Sequence, residues 1–247
     1  MILHIPHSSR AIPEDLRDQF VLSDDELSLE LNRMTDAFTD ELFTFPKVDT
    51  VIFPISRLLV DVERFPDDDK EPMAKVGMGM IYTSTACGKK LRRTLLPDER
   101  RNLQIKYYEP HHKLLLEKVK SEIDKTGKAL IVDCHSFPSY PLPCDNDQSI
   151  PRPDFCIGTD SFHTPEALIR VTEQVIKKMS FSVGINQPYS GALVPMVFYK
   201  QDKRVISIMI EIKRSLYMDE LNGMKTSGFD QSKELIQSIL EAISKFQ

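Results

Sequence analysis

The chain has 247 residues, of which 41% are hydrophobic and 28% are charged. This composition is typical of a globular protein and excludes a collagen, a coiled coil or a disordered tail. The 32 Lys and Arg residues are outnumbered by 37 Asp and Glu residues, and the net charge is −5. That balance argues against nucleic acid as a partner, since phosphate binding needs a clustered basic excess.

Motifs that mark several other protein classes are absent from the sequence. The four cysteines form no C-x-x-C pair, and the nine glycines form neither a dinucleotide-binding motif nor a P-loop. The opening apolar run, MILHI, is too short for a secretory leader, and no segment approaches the roughly 18 apolar residues of a membrane span. We therefore expect a cytoplasmic protein with reduced thiols and no membrane contact.

The first predicted elements are a short strand and a long helix. The apolar residues 2–6 predict a strand that delivers His7 into a loop. The S-x-x-E pattern at Ser23 marks a helix N-terminus, and apolar residues three and four apart predict one helix from there to just before Pro46. On that helix Asp36 faces away from the apolar stripe, where a solvated surface acid is expected.

The remaining strands are predicted where short apolar runs end in polar or turn residues. They occupy residues 51–55 with a continuation at 58–62, 128–136, 153–158, 181–185, 194–199 and 205–212. Helices are predicted at residues 97–126 with an interruption at Pro110, at 164–179 and from 232 onward. Irregular loop insertions fill residues 66–93 and 138–163. This alternation predicts a single α/β domain over residues 1–247, whose mainly parallel sheet binds ligands at the carboxyl ends of its strands.

Two histidines follow apolar strands, and this placement suggests a metal site. His7 ends the first strand, and His135 shares one strand face with Asp133. Neutral imidazoles from two strand ends can bind one Zn²⁺ at about 2.0–2.1 Å, but a catalytic zinc needs a third protein ligand. Asp36 is the candidate and Glu14 a weaker one. On spacing alone, hydrogen-bonded structural histidines are the more common explanation, because two histidines do not define a metal site.

An acidic residue ends another apolar strand. In VISIMIEIKR the isoleucines share one face, and Glu211 projects from the other at the carboxyl end. Beside a metal-bound water, such a carboxylate is suited to act as general base in the hydrolysis of an amide. An ion pair with Lys213 or Arg214 is the alternative explanation.

Nucleophilic catalysis by a cysteine or serine is disfavoured. Cys134 and His135 are neighbours along a strand and point to opposite faces, so the imidazole cannot act as base for the thiol. Neither Ser136 nor the pair Ser8 and Ser9 lies in a G-x-S-x-G motif.

Seven short segments, in order along the chain, resemble the N-formylglutamate amidohydrolase family. They are His7-Ser8-Ser9 with Ile12-Pro13, the segment around Asp36, Ser56-Arg57 through Val60-Asp61-Val62-Glu63-Arg64, Tyr107 with His111-His112, Asp133-Cys134-His135-Ser136, Asn186-Gln187-Pro188-Tyr189-Ser190-Gly191, and Ile210-Glu211-Ile212-Lys213-Arg214. The sequence departs from the family pattern at Glu63, where Asn is usual, and at Ala192, where Gly is common.

The resemblance implies a fold, an activity and a set of site residues. The fold is a three-layer, phosphorylase/hydrolase-like α/β fold similar to zinc carboxypeptidases, with helices on both faces of a mixed, mainly parallel sheet. The activity is hydrolysis of an N-acyl amino acid, N-formylglutamate in first place, by an enzyme of histidine catabolism. His7, His135 and Asp36 are implied as ligands of Zn²⁺ or another divalent metal, and Glu211 as the general base.

The implied partner is a small anionic N-acyl amino acid, and guanidinium groups suit its carboxylates. The residues expected to bind it are Arg57, Arg64, Ser136, Asn186, Tyr189 and Arg214. Structural ion pairs are an equally good interpretation of each arginine. Two other functions stay open: a carboxylate-binding protein that has lost turnover, and a carboxypeptidase-like amidase that takes a larger substrate.

Overall fold

The computed structural model describes residues 1–246 and is built around a six-stranded sheet. The strands are β1 (Ile2–Ile5), β2 (Asp49–Ile52), β3 (Ala129–Phe137), β4 (Phe155–Gly158), β5 (Val183–Ile185) and β6 (Val205–Lys213). They lie in the order β2-β1-β3-β6-β4-β5, and every neighbouring pair is parallel except β4 and β6. The prediction of a mixed, mainly parallel sheet is confirmed.

Helices cover both faces of this sheet. They are α1 (Asp24–Met34), α2 (Thr39–Leu42), α3 (Pro97–Leu103), α4 (Glu109–Thr126), α5 (Glu166–Lys178) and α6 (Phe229–Ser244). Apolar side chains of α2, α5 and α6 share one core with the sheet, and those of α4 share another. This arrangement confirms the three-layer α/β fold.

The two central strands, β3 and β6, position the polar side chains at one end of the sheet. Ile131 and Val205 face α4 at the amino end of these strands and pack against apolar residues of that helix. Farther along the same face, the side chains become polar at Asp133, His135 and Glu211. The register pairs His135 with Glu211, so both lie at the carboxyl end of the sheet.

A third apolar cluster lies beside this end and is made largely of irregular chain. Leu27 and Met34 of α1 pack in it with buried residues between Phe53 and Leu91, of which Tyr82 is the largest. The predicted loop insertion at 66–93 forms much of this cluster. Its only regular element is a 3-10 turn at Pro72–Val76.

The single helix predicted from Ser23 to Pro46 is wrong in its second half. The capping box at Ser23 is present, but α1 ends at Met34. Phe38 then takes a left-handed backbone conformation before the short α2 begins. Asp36 lies in the break and is buried, not solvated. Its backbone N–H donates to the carbonyl of His7 at 3.0 Å, which an uninterrupted helix would prevent.

Two predicted strands are turns in the structure. Residues 58–62 are buried and, except for Asp61, apolar, but the Arg92 guanidinium donates to the carbonyls of Leu58 and Leu59 that a strand would offer to a neighbour. Residues 194–199 form a turn that packs against α4. At 58–62 the apolar side chains are buried without a strand partner, and at 194–199 Met196 and Val197 are exposed. An apolar run alone therefore does not establish a strand.

The other predicted elements agree with the structure within a few residues. The exception is Pro110, which does not interrupt the helical segment predicted at residues 97–126. That proline lies in the first turn of α4, where its missing N–H costs no hydrogen bond, and it follows a π-helical turn at Gln104–Tyr108. Gly127 closes α4 in the left-handed conformation. Among residues 1–246, no helix has the length and apolar character to cross a membrane.

Candidate active site

The structure brings His7 and His135 together, with their ring centroids 5.2 Å apart. His7 Nε2 lies 2.9 Å from Asp61 Oδ1, and that carboxylate is held by Arg57 at 2.8 Å and by the Tyr82 hydroxyl at 2.7 Å. This hydrogen bond fixes the ring and leaves Nδ1 to face the site. Within residues 1–246, the buried His7 Nδ1 has no hydrogen-bond partner.

His135 is held between two buried carboxylates. Its Nε2 lies 3.2 Å from Asp133 Oδ1, and its Nδ1 lies 3.0 Å from Asp36 Oδ2. The same Asp36 oxygen is 3.7 Å from His7 Nδ1. Two imidazoles therefore converge on one carboxylate oxygen.

Asp36 is anchored by both its backbone and its side chain. Arg214 Nη2 donates to Asp36 Oδ1 at 2.8 Å, on the side away from the imidazoles. Burial favours the protonated form, but the hydrogen bond from His135, the nearby His7 ring and the charge of Arg214 hold the pKa of Asp36 well below its usual range. The residue is a carboxylate with one oxygen directed at the histidines.

Sequence reasoning did not assign Glu63 to the metal site. Its Oε1 lies 3.2 Å from His135 Nε2 and its Oε2 lies 3.8 Å from His7 Nδ1. His7, Glu63 and His135 have ligand atoms that all lie within 4.8 Å of one another. The one sequence feature that pointed to Glu63 was its departure from the Asn that is usual in the family at this position.

These side chains fit a divalent cation. Ligands of a tetrahedral Zn²⁺, each about 2.0–2.2 Å from the ion, lie roughly 3.3–3.5 Å apart. The Glu63 carboxylate lies 3.2 Å from His135 Nε2 and 3.8 Å from His7 Nδ1. Asp36 lies 3.0 Å from the other nitrogen of His135, Nδ1, and 3.7 Å from His7 Nδ1. Because one imidazole gives one nitrogen to an ion, Asp36 and Glu63 are alternative third ligands. The unpartnered Nδ1 of His7 also suits an ion that supplies the missing contact.

The charges around the imidazoles favour positive charge at this place. Burial and the Arg57 charge oppose protonation of His7, but the carboxylates of Asp61 and Asp36 outweigh them and raise its pKa. Burial opposes protonation of His135 as well, and Glu63 and Asp133 raise its pKa well above the usual value. A cation that replaced these protons would meet the same field.

A second group of ligand-type residues lies behind the first. His4, Glu63 and Asp133 also have atoms within 4.8 Å of one another. However, His4 Nδ1 and Asp133 Oδ1 are only 2.7 Å apart, which is a direct hydrogen bond and too close for two ligands of one ion. His4 Nε2 continues this chain to His111 Nε2 at 2.8 Å, so the group supports His135 through Asp133.

Glu211 lines the same cavity as the imidazoles and forms no salt bridge among residues 1–246. Its Oε2 is buried and makes no hydrogen bond in the described chain. Burial raises the pKa of Glu211 to about 8, a rise that the positive charge of His135 moderates and the negative charge of Asp36 reinforces. The ion pairs considered with Lys213 and Arg214 are not formed, since those side chains bind Asp154 and Asp36.

A cavity of about 180 Å³ opens onto these residues. Its charged and polar lining includes His7, Asp36, Arg57, Glu63, Arg64, His135, Ser136, Tyr189, Glu211 and Arg214. Ser136 accepts a hydrogen bond from Arg214 Nε at 3.2 Å, and the Tyr189 hydroxyl lies 3.1 Å from Arg152 Nη1. All the proposed metal and base residues therefore share one cavity, together with five of the six predicted substrate residues.

Asn186 is the predicted substrate residue that the structure does not bring to the cavity. It follows the edge strand β5, and its side-chain amide pairs with Thr159 through two hydrogen bonds of 2.7 and 2.8 Å. The alternative ligand Glu14 is exposed in a 3-10 helix and does not line the cavity either. Cys134 packs in the core of the opposite sheet face, as the strand alternation predicted.

The model of the N-formylglutamate amidohydrolase family matches residues 1–218 of the sequence. The chain belongs to this family. It is an amidohydrolase by membership, and the sequence-based recognition is confirmed. Among curated proteins, none matches this sequence significantly.

Two solved structures resemble this family member over nearly all of its length. The N-formylglutamate amidohydrolase from Ralstonia eutropha JMP134 has a TM-score of 0.84 and 24% identity, with 99% of this chain and 92% of that chain covered. The gene product Atu2144 from Agrobacterium tumefaciens has a TM-score of 0.66 and 17% identity, with 100% and 90% covered. At these identities the likeness supports the fold.

Proposed function

We propose that this amidohydrolase depends on a divalent metal, with Zn²⁺ as the first candidate, and cleaves the amide bond of an N-acyl amino acid. N-formylglutamate, for which the family is named, is the first substrate to test. His7 and His135 would hold the ion, with Asp36 as third ligand if His135 binds through Nδ1 and Glu63 in its place if His135 binds through Nε2. The observation that carries this proposal is the buried, unpartnered His7 Nδ1, which faces carboxylate oxygens 3.7 and 3.8 Å away.

The chemistry of the ion is that of other hydrolytic metals: it would lower the pKa of water toward about 7 and polarise the amide carbonyl. Glu211 takes the proton from the attacking water and returns it to the leaving nitrogen. Its unpartnered oxygen and its raised pKa, about 8, suit both tasks near neutral pH. Tyr189 lines the same cavity and orients the acyl group.

Arg64 binds the substrate carboxylate in this scheme. Its Nε is buried without a hydrogen-bond partner in residues 1–246, and its side chain lines the cavity. Arg57 and Arg214 act differently, because they hold Asp61 and Asp36 behind the two imidazoles. In this scheme Arg64 binds the substrate, whereas Arg57 and Arg214 position carboxylates that contact the two imidazoles.

The test is metal content combined with turnover. The purified chain is depleted with a chelator, reloaded with Zn²⁺, and assayed for release of formate from N-formylglutamate and other N-formyl amino acids. We expect one ion per chain in the wild type and loss of that ion in His7→Ala and His135→Ala. The control is Glu241→Gln, which changes an exposed residue of α6. Full activity after exhaustive chelation would overturn the metal dependence, and binding without turnover would favour a carboxylate-binding protein.

A further inference from the structure

Tyr189 is held at both of its ends. Its backbone carbonyl accepts a hydrogen bond from Cys156 Sγ at 3.2 Å, and Cys156 lies opposite Glu211 in the strand register. At the other end, the Tyr189 hydroxyl donates to Asp145 Oδ2 at 3.1 Å and accepts from Arg152 Nη1 at 3.1 Å. A phenolic hydroxyl has one hydrogen to donate, so these two residues determine its orientation. The ring is therefore fixed in the cavity that Glu211 also lines.

The hydroxyl of Tyr189 keeps its proton in this setting. Burial raises the pKa of the phenol, and the carboxylates of Asp145 and Glu211 raise it further against the opposing charge of Arg152. The hydroxyl is thus a neutral group with a fixed orientation, and proton transfer is left to Glu211.

Arg152 connects this tyrosine to the irregular loop at residues 138–147. The Arg152 side chain is 1% exposed, and its guanidinium donates to two side chains and two backbone carbonyls. The acceptors are the Asp145 carboxylate at 2.7 Å, the Tyr189 hydroxyl and the Asp147 carbonyl at 3.1 Å, and the Pro138 carbonyl at 3.2 Å. The backbone of residues 138–147 forms neither helix nor strand, so contacts of this kind take the place of a backbone ladder.

Three of the residues that Arg152 binds line the cavity, whereas Arg152 itself is not part of the lining. The three are Pro138, Asp145 and Tyr189. The Arg152 guanidinium instead packs 5.4 Å from the ring centroid of Tyr189 and 5.9 Å from that of Phe137. An arginine in this place acts on a bound molecule through the residues that it holds.

We propose that Arg152 is a positioning residue for substrate binding, which holds the Tyr189 hydroxyl and the loop at 138–147 in the places that shape the cavity. The inference rests on the proposed function, in which Tyr189 orients the acyl group. It adds a residue to which the sequence patterns gave no role, since Arg152 lies in none of the seven segments that resemble the family.

The test is a double-mutant cycle on the zinc-loaded full chain, with N-formylglutamate as substrate. Arg152→Gln removes the guanidinium, Tyr189→Phe removes only the hydroxyl, and the double variant removes both. We expect each single substitution to raise KM about 10-fold and to change kcat less than about 3-fold, since Glu211 and the imidazoles keep their contacts.

The double variant decides whether Arg152 acts through Tyr189. We expect its KM to stay near that of Arg152→Gln, because both substitutions break the same hydrogen bond. A rise of about 100-fold, the product of two independent effects, would overturn the proposal. An unchanged KM in Arg152→Gln would overturn it as well.

Two further variants and a metal analysis separate positioning from a general loss of structure. Arg152→Lys keeps the charge beside Asp145 but not the planar fork, so we expect its KM to lie about 3-fold above the wild type. Equal KM values in the lysine and glutamine variants would overturn the role of the guanidinium. Arg204→Gln, which removes an exposed arginine 2.7 Å from Asp202, is the matched control and should behave as the wild type.

Zinc content is measured on every variant, and we expect one ion per chain throughout. Loss of zinc in Arg152→Gln would show that the residue acts on the metal site, which would overturn the proposal. If Arg152→Gln does not fold, Arg152→Lys takes its place in the cycle under the same criterion of non-additivity.

Failure of the proposed function can be told apart from failure of this inference. If the wild type releases no formate from N-formylglutamate or other N-formyl amino acids, the proposed function fails. Calorimetric binding of N-formylglutamate to the same proteins then decides the role of Arg152. Weaker binding to Arg152→Gln with no further loss in the double variant supports it, and unchanged binding, additive losses or no binding by the wild type overturns it.

Discussion

His7 Nε2 donates a hydrogen bond to Asp61 Oδ1 at 2.9 Å, and this contact determines which nitrogen of the ring faces the cavity. Asp61 is buried, and burial is offset by Arg57 and His7, which hold its pKa well below the usual range. The carboxylate therefore stays charged and fixes the ring with its Nδ1 directed at Asp36. A residue that hydrogen-bonds to a metal-binding histidine, as Asp61 does here, commonly influences the affinity of the site for its metal.

Asp61→Asn should accordingly weaken metal binding without removing a ligand. We expect the dissociation constant for Zn²⁺ to rise about 10-fold to 100-fold, because the amide is a weaker acceptor and the Arg57 charge loses its partner. Competition with a chromogenic chelator measures the effect. Asp67→Asn, on an exposed loop, is the control. Unaltered affinity would show that Asp61 has no positioning role.

Glu211→Gln should abolish most turnover while the metal remains. The amide keeps the shape of the side chain but cannot take a proton, so we expect kcat to fall by at least about 100-fold at unchanged metal content. Formate release and metal analysis on the same sample give both values. Loss of the metal in this variant would assign Glu211 to metal binding instead.

Arg64→Gln should act on substrate binding. A charge-assisted hydrogen bond to a carboxylate contributes about 1.5–3 kcal/mol, so we expect KM to rise roughly 10-fold to 100-fold with a smaller change in kcat. The exposed Arg170→Gln on α5 is the matched control. A fall in kcat at constant KM would argue that Arg64 acts on the transition state.

Ser23→Ala should lower stability without touching the site. Ser23 accepts a hydrogen bond from the backbone N–H of Glu26, and the Glu26 side chain accepts one from the Ser23 backbone. Removing such a cap costs about 1 kcal/mol of unfolding free energy. Urea denaturation checks it, with Ser238→Ala on α6 as control. Equal midpoints for the two variants would contradict the role of the cap.

Local patterns in the sequence allowed the sheet and its flanking helices to be predicted, and the family resemblance named most of the residues that line the cavity. Strand alternation placed His135 with Asp133 and placed Glu211 opposite the isoleucines of its strand, and the observed register then pairs His135 with Glu211. The burial of Asp36 could not be predicted from helical periodicity, since it depends on Arg214, nearly two hundred residues away in sequence.

The same limit explains the other differences. Residues 58–62 have the apolar pattern of a strand, but a side chain, Arg92, satisfies their carbonyls. Asn186 follows a strand as the family motif requires, but its side chain is bound to Thr159, and the same loop reaches the cavity only at Tyr189. Such features depend on contacts between distant segments, which no window of sequence contains.

The third apolar cluster also bears on how this enzyme can diversify. The imidazoles and Glu211 are anchored to the sheet, whereas much of the opposite boundary of the cavity belongs to a separately packed unit of loops. Mutations in those loops can reshape the pocket while the hydrolytic groups keep their framework. One scaffold could in this way serve relatives that accept different acylated amino acids.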